Sequence, residues 1–324
     1  MTTLFFIMDA IVFHSSITCK FIFLWSVYIF KTKKIPIDRT IKVYNVGESN
    51  YEICATLQGH EGPVWQVSWA HPKFGTILAS CSFDGSVMVH REVRPREWTC
   101  LYHARGLHQS SVNGVAFGPH EYGLVLAAAS SDGRVSILKH QPNQTWTMDY
   151  LQDSPLGVNA VSWAPVGSFM DPNDPQKLAP PRLVTGSCDH GLKFWIGPEE
   201  AGGEWKEDEA QCDTSGLVHT DWVRDVAWAP SLLPNYNQVA SCSEDGQVLM
   251  WQLDPQNNVW KSTLVTKLDK PVWRVSWSTT GYMLAVSAGD SDVSLWKAGS
   301  DGTTWIQMNT EETTEQPPST ETIG

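Results

Sequence analysis

Apolar and polar positions alternate along this chain in short stretches that recur in one order. An apolar strand closes on Trp or Phe: VSW at Trp69, VAF at Phe117, VSW at Trp163, VAW at Trp228 and VSW at Trp277. A Ser/Cys-rich strand follows, and then a turn at Asp84, Asp132, Asp189, Asp245 or Asp290. The third stretch alternates again: SVMVH to His90, RVSIL to Leu138, LKFW to Trp195, QVLMW to Trp251 and DVSLW to Trp296. A further Trp opens a predicted fourth strand, at Trp98, Trp146, Trp205, Trp260 and Trp305. Alternation of period two argues for strands, because successive side chains point to opposite faces. Asp-Gly at Asp84–Gly85, Asp132–Gly133 and Asp245–Gly246 supplies tight hairpin turns.

A period of about 40–50 residues with four short strands per unit predicts an all-β fold, a β-propeller of WD repeats. Five units are complete, and a sixth is present only as its second half, Asp38–Tyr44 and Tyr51–Leu57. The predicted organisation is an atypical apolar segment at 1–37, a half blade at 38–57, five blades across 58–305, and an acidic Thr/Glu/Pro-rich tail at 306–324 that is expected to be disordered. The propeller is thus an open one of six blades, the first incomplete. An unlocked ring exposes an apolar blade face and unpaired strand edges, so a partner is expected to fill the gap.

His60, His108 and His219 each precede the signature Trp or Phe by nine residues. In WD repeats such a His bonds the turn Asp through the blade. The expected structural network therefore comprises His60, Asp84, His108, Asp132, Asp189, His219, Asp245, Trp251 and Asp290, with Ser241 or Ser243 joining in the fullest copy. Such partners offset the desolvation of a buried Asp. A catalytic His–Asp pair is the poorer reading, since active sites do not repeat around a ring. Most of the 16 Trp fall at repeat-equivalent positions and are expected to pack between blades. Trp65, Trp222 and Trp273 precede the signature, near the top rim, and are candidate partner contacts.

The formal net charge is −12, and residues 1–37 carry about +3, which leaves the rest strongly acidic. That argues against direct nucleic-acid binding, which needs a basic surface. Seven Cys is an odd number; Cys81 and Cys242 share one small-residue register and read as buried thiols. No CxxC or zinc-spaced Cys/His cluster occurs, and no phosphate loop, HExxH or nucleophile elbow. No catalytic residue, cofactor or metal site is predicted, and the cysteine usage suits a reducing compartment. The Pro-rich stretch between Trp163 and Arg182 reads as a surface loop.

Residues 1–37 have no repeat register. Their cleanest apolar run, Phe21–Phe30, is too short to span a bilayer alone. Three readings stand: a gene-model artefact replacing the first half blade, a membrane anchor over residues 4–30 with Lys31, Lys33 and Lys34 on the cytosolic side, or a segment packed on the open blade.

GHEGPVWQVSWAHPKFGTILASCSFDGSV (Gly59–Val87), HTDWVRDVAWAPS (His219–Ser231), VNAVSWAP and PVWRVSWS go beyond a generic repeat. Over roughly Asp38 to Trp305 the chain resembles the Sec-thirteen family, the small WD-repeat subunit of the COPII outer coat. The resemblance implies a non-enzymatic scaffold whose open six-bladed propeller is completed by a blade donated in trans, from the large outer-coat subunit or a scaffold nucleoporin. It also implies membership of the ER-to-Golgi vesicle cage, of the nuclear-pore Y-shaped complex, and of a complex that signals amino-acid supply to the TOR kinase. Membrane contact would then be indirect, on the cytoplasmic face of the endoplasmic reticulum. By blade position, the candidate docking residues are Ile41, Val43 and Tyr44 in the half blade, and Trp273, Trp277, Leu284 and Trp296 in the last blade. A generic WD-repeat peptide-binding adaptor, using Trp65, Trp222 and Trp273, is the alternative.

Overall fold

The period-two pattern folds into antiparallel sheets. The computed structural model describes residues 39–46, 51–170, 174, 177–199, 203–230, 235–289, 292–299 and 304–308, together with the strand Ser26–Val27. Asp38, Asp290 and almost all of segments 1–37 and 306–324 lie outside the described residues. Blade I holds β1 (Ser26–Val27), β2 (Ile41–Val46) and β3 (Tyr51–Leu57). Blade II holds β4 (Val64–Trp69), β5 (Ile77–Ser82), β6 (Val87–Arg94) and β7 (Glu97–Ala104). Blade III holds β8 (Val112–Phe117), β9 (Val125–Ser130), β10 (Arg134–His140) and β11 (Trp146–Gln152). Blade IV holds β12 (Val158–Trp163), β13 (Arg182–Ser187), β14 (Leu192–Ile196) and a two-residue fourth strand β15 (Lys206–Glu207), which starts one residue after Trp205. β16 (Gln211–Cys212) adds to the outer edge of blade V, which holds β17 (Val223–Trp228), β18 (Gln238–Ser243), β19 (Gln247–Asp254) and β20 (Val259–Lys267). Blade VI holds β21 (Val272–Trp277), β22 (Met283–Ala288), β23 (Asp292–Ala298) and β24 (Trp305–Met308). Among the described residues, the helical turns are two short 3₁₀ segments, Pro72–Phe74 and His120–Tyr122.

The second strands explain the composition. ILASCS, VLAAAS and QVASCS are buried at every position, because blades cover both faces and only small or apolar side chains fit. The core divides into clusters at successive joints. Ile41, Val43 and Leu57 pack on Leu78 and Trp69 at joint I/II. Cys81 and Val89 meet Val112 and Leu126 at II/III, and Ile137 meets Trp163 and Leu183 at III/IV. Phe194 meets Trp228 and Trp260 at IV/V, and Met250 meets Trp277 and Leu284 at V/VI.

Side chains of the first strands also stitch the blades together. Gln66 Oε1 accepts the Val115 N–H at 2.9 Å, and Asn113 Nδ2 donates to the Val158 carbonyl at 3.0 Å. Asn159 Nδ2 donates to the Val223 carbonyl at 2.9 Å, and Asp225 Oδ2 accepts the Val275 N–H at 3.1 Å. Each first strand carries a β-bulge at its second residue: Trp65, Asn113, Asn159, Arg224 and Trp273. A bulge bends the strand and re-aims a side chain, here onto the rim.

Candidate functional site

Two constellations follow from this frame: a polar network inside the blades, and the surfaces left at the ring's opening and rim.

The network is fullest in blade V. Trp251 Nε1 donates to Ser241 Oγ at 2.8 Å, so the Ser241 proton is free to point at His219 Nε2, 2.7 Å away. His219 then carries its own proton on Nδ1, which faces Asp245 Oδ2 at 3.5 Å, within ion-pair range but without a formed hydrogen bond. Ser243 lies outside the relay and donates instead to the Asp221 carbonyl at 3.0 Å. In blade II, His60 Nδ1 lies 3.3 Å from Asp84 Oδ2 and its Nε2 lies 2.8 Å from Ser80 Oγ. In blade III, His108 Nδ1 lies 3.0 Å from Asp132 Oδ2, and Ser136 on the third strand replaces the second-strand Ser. Burial works to raise the Asp84 pKa, but the hydrogen bonds from Ser86 and the Glu61 N–H and the charge of His60 outweigh it and hold the carboxylate well below its usual range. Asp245 behaves likewise through His219, Thr220 and Gln247. Burial opposes ionisation at Asp132 too, yet the Arg134 and Gln109 bonds draw its pKa down to about 2. Burial lowers the pKa of His60 and of His108 against the pull of their aspartates. Cys81 and Cys242 are fully buried, and burial pushes the Cys81 thiol up to about 12, so neither is reactive.

Blade IV departs from the expectation. Asp189 is exposed and its Oδ1 accepts the Gly191 N–H at 3.0 Å, within its own turn. The buried acid there is Asp153, which takes the place of the missing His. It accepts from Thr185 Oγ1, from Ser187 Oγ at 2.8 Å and from Trp195 Nε1 at 3.3 Å. Burial raises its pKa against these bonds and Lys193. The signal was faint: Asp153 sits ten rather than nine residues before Trp163. In blade VI, Val286 fills the Ser position and Trp296 Nε1 turns to Ser294 Oγ at 2.9 Å.

The expected docking residues need correction. Ile41 and Val43 are buried against blade II, and Trp277, Leu284 and Trp296 are buried against blade V. Tyr44 is buried as well. Ile41, Val43, Trp277, Leu284 and Trp296 occupy the inward-facing parity of their strands, and a one-residue step, as from Val43 to Tyr44, reaches the other face. Among the described residues nothing covers that other face of blade VI. Val293 is 50% and Met283 38% exposed, and Ala285 and Leu295 are half-buried. In blade V the equivalents of Val293, Leu295 and Ala285, namely Val248, Met250 and Ala240, are buried under blade VI. On β24, Met308 pairs with Leu295 and Ile306 with Lys297, which widens the same apolar face.

At the rim, Trp65 is 39%, Trp222 44% and Trp273 36% exposed. The structure does not gather them into one patch. Trp65 donates to Ser111 Oγ at 2.8 Å and meets Phe83 edge-on, with ring centroids 6.5 Å apart. Trp222 and Trp273 flank the Arg224 guanidinium at 5.0 and 5.1 Å, and Arg224 also pairs with Glu244. Among the described residues no group of three or more His, Cys, Asp or Glu is arranged to hold a metal ion.

Known proteins are similar to this chain in sequence. The WD domain, G-beta repeat model matches residues 51–91 and 147–195, and the anaphase-promoting complex subunit 4 WD40 domain model matches residues 226–317. The Drosophila melanogaster "Protein SEC13 homolog" is 44% identical over 281 residues, covering 85% of this chain and 76% of that protein. The Dictyostelium discoideum "Protein SEC13 homolog" is 46% identical over 268 residues, 82% of this chain and 86% of the relative. The Yarrowia lipolytica "Protein transport protein SEC13" is 43% identical over 270 residues, 82% and 87% of the two chains. With identity at this level over more than four-fifths of its length, the chain belongs to the SEC13 family of WD-repeat proteins.

Proposed function

We propose that this chain is a non-enzymatic scaffold of protein transport whose open propeller is completed by a blade donated in trans. The uncovered face of blade VI carries the reading. Met283, Ala285, Val293, Leu295, Ile306 and Met308 form an apolar sheet face, and the blade V counterparts of Ala285, Val293 and Leu295 are covered by a neighbouring blade. A donated blade would bury that face and add strand pairing, giving an interface of the large obligate class. The occupant is the large outer-coat subunit in the COPII cage of ER-to-Golgi vesicles, and a scaffold nucleoporin in the nuclear pore. The amino-acid-sensing complex upstream of TOR is a third setting. The chain then lies peripherally on the cytoplasmic face of the endoplasmic reticulum and at the pore, without direct nucleic-acid contact.

Tagged full-length chain should co-purify with a much larger partner, and Val293→Asp with Leu295→Asp should abolish recovery while leaving the purified chain folded. Undiminished recovery would sink the blade-VI seat. The exposed Trp65, Trp222 and Trp273 favour a second reading, a rim that binds peptides. Alanine at those three positions would then remove the partner, and the blade-VI pair would not.

A further inference from the structure

We propose that the joint between blades I and II is a binding cleft for a small neutral nitrogen heteroaromatic, with Trp98 as its stacking platform and His90 as its polar contact. The inference is independent of the trans seat on blade VI.

The repeat register shows what is unusual at this joint. Near the end of each third strand, one residue packs back toward the preceding blade: Trp195, Trp251 and Trp296 in blades IV to VI. Blade II carries His90 at that position. From the preceding blade, Phe194 meets it at joint IV/V, but only Val43 at joint I/II. Phe194 lies flat on Trp260, with ring centroids 4.0 Å apart and 4° between planes, and Trp251 packs in the same cluster. Trp98 is the counterpart of Trp260, by pairing: Trp98 lies opposite Glu92, and Trp260 opposite Leu253. It keeps a tilted neighbour, Trp69, at 6.1 Å, but among the described residues no ring lies flat on it. Two small side chains thus stand where joint IV/V has two large rings.

A cleft of about 350 Å³ opens there, lined by Thr56 and Gln58 of blade I and by His90, Arg96, Trp98 and Cys100 of blade II. This volume is at the lower end of small-molecule sites and suits one or two fused rings. His90 is 4% exposed, and its Nδ1 is buried with no hydrogen-bond partner among the described residues. The other buried imidazoles, His60, His108 and His219, each face a turn aspartate. Trp98 Nε1 also lacks a partner, as do Trp260 and Trp305 Nε1 at the same register, so His90 Nδ1 is the atom peculiar to this cleft. A buried polar atom without a partner is costly, and a ligand nitrogen would offset that cost. Burial lowers the His90 pKa to about 4, so the ring is neutral at pH 7 and its Nδ1 donates or accepts according to tautomer. Arg96, the charged residue of the lining, is already paired with Glu52 of blade I, which favours a neutral ligand over an anion.

The test uses the full chain and benzimidazole, two fused rings with one nitrogen donor and one acceptor. Ligand-observed NMR should give a Kd of about 1 mM, as for a fragment of this size. Near saturation, benzimidazole should slow N-ethylmaleimide labelling of Cys100 about fivefold or more, read by peptide mass spectrometry, while Cys54, outside the lining, keeps its rate. Indane, the same shape without nitrogens, should bind about tenfold more weakly. His90→Trp, which rebuilds the ring that Trp251 supplies, should abolish binding. His90→Leu is the second variant, should His90→Trp not fold; blade III carries Leu138 at this position, and the loss should be about tenfold. Absence of Cys100 protection, equal protection of Cys54, equal affinity for indane, or undiminished affinity in a folded His90 variant would each overturn the proposal.

Discussion

Ser241→Ala isolates the blade network in its fullest form. Ser241 is fully buried, and its one hydroxyl serves both Trp251 Nε1 at 2.8 Å and His219 Nε2 at 2.7 Å. Removing it deletes little volume, so the cavity contribution is small. It leaves an indole N–H and an imidazole lone pair without partners inside a blade, each costing about 1–3 kcal/mol. Partial relaxation reduces the sum, and the expected loss is about 2–4 kcal/mol, or roughly 5–10 °C in Tm for a domain of this size. His219 also loses the contact that points its Nδ1 proton at Asp245, so the three groups should couple. In a double-mutant cycle with Trp251→Phe, which keeps the ring and removes the N–H, the coupling should be about 1–2 kcal/mol. The assay is urea unfolding followed by tryptophan fluorescence and by far-UV circular dichroism, at pH 7. A Ser241→Ala loss under about 0.5 kcal/mol, or strict additivity in the cycle, would refute the relay.

Acid should weaken the fold from neutral pH downward. Burial, with the charges of His60 and His103 adding to it, lowers the His90 pKa from 6.5 to about 4, so between those values the unfolded chain binds a proton that the folded chain refuses. Stability is therefore intact above pH 6.5 and falls toward pH 4, by about 3 kcal/mol for this group. His90→Gln should flatten the dependence in that window, as read by unfolding midpoints across pH. Asp84, Asp132 and Asp245 have lowered pKa values and act below it; their contribution is present above the unfolded carboxylate pKa of 3.8 and lost as pH falls further. Gly246→Ala should cost about 2–4 kcal/mol: φ is +80°, and a Cβ would sit 2.1 Å from the Leu268 carbonyl oxygen. Gly106→Ala, at φ +65° with open space around it, should cost only about 1 kcal/mol, and equal Tm losses for the two would contradict the steric argument.

The blades were legible because a strand's period and its turn chemistry are local. VSW endings, Asp-Gly turns and the nine-residue His spacing marked the four strands of blades II to VI, though not the edge strand β16, and the His60, His108 and His219 networks. What failed was non-local. Asp189 shares the turn register of Asp84 and Asp245, yet without a His above it the carboxylate stays in its turn, and Asp153 supplies the buried acid from the preceding loop. Likewise Trp277, Leu284 and Trp296 carry the repeat's conserved spacing within the chain, which is why position alone pointed to them as docking residues. They pack inward on blade V, and the smaller Ala285 and Leu295 face outward.

By itself the sequence determined a ring of WD blades, its open joint and its family, because each of these is a matter of period, count and residue phrase. Only the tertiary structure decided which parity of each strand is covered. The second strands in blades II to V are buried on both sides along almost their whole length, so neither composition nor alternation distinguishes a face under a neighbour from a face without one. That distinction belongs to the arrangement of blades in space, and it places the free surface on Met283, Val293, Leu295 and Ile306.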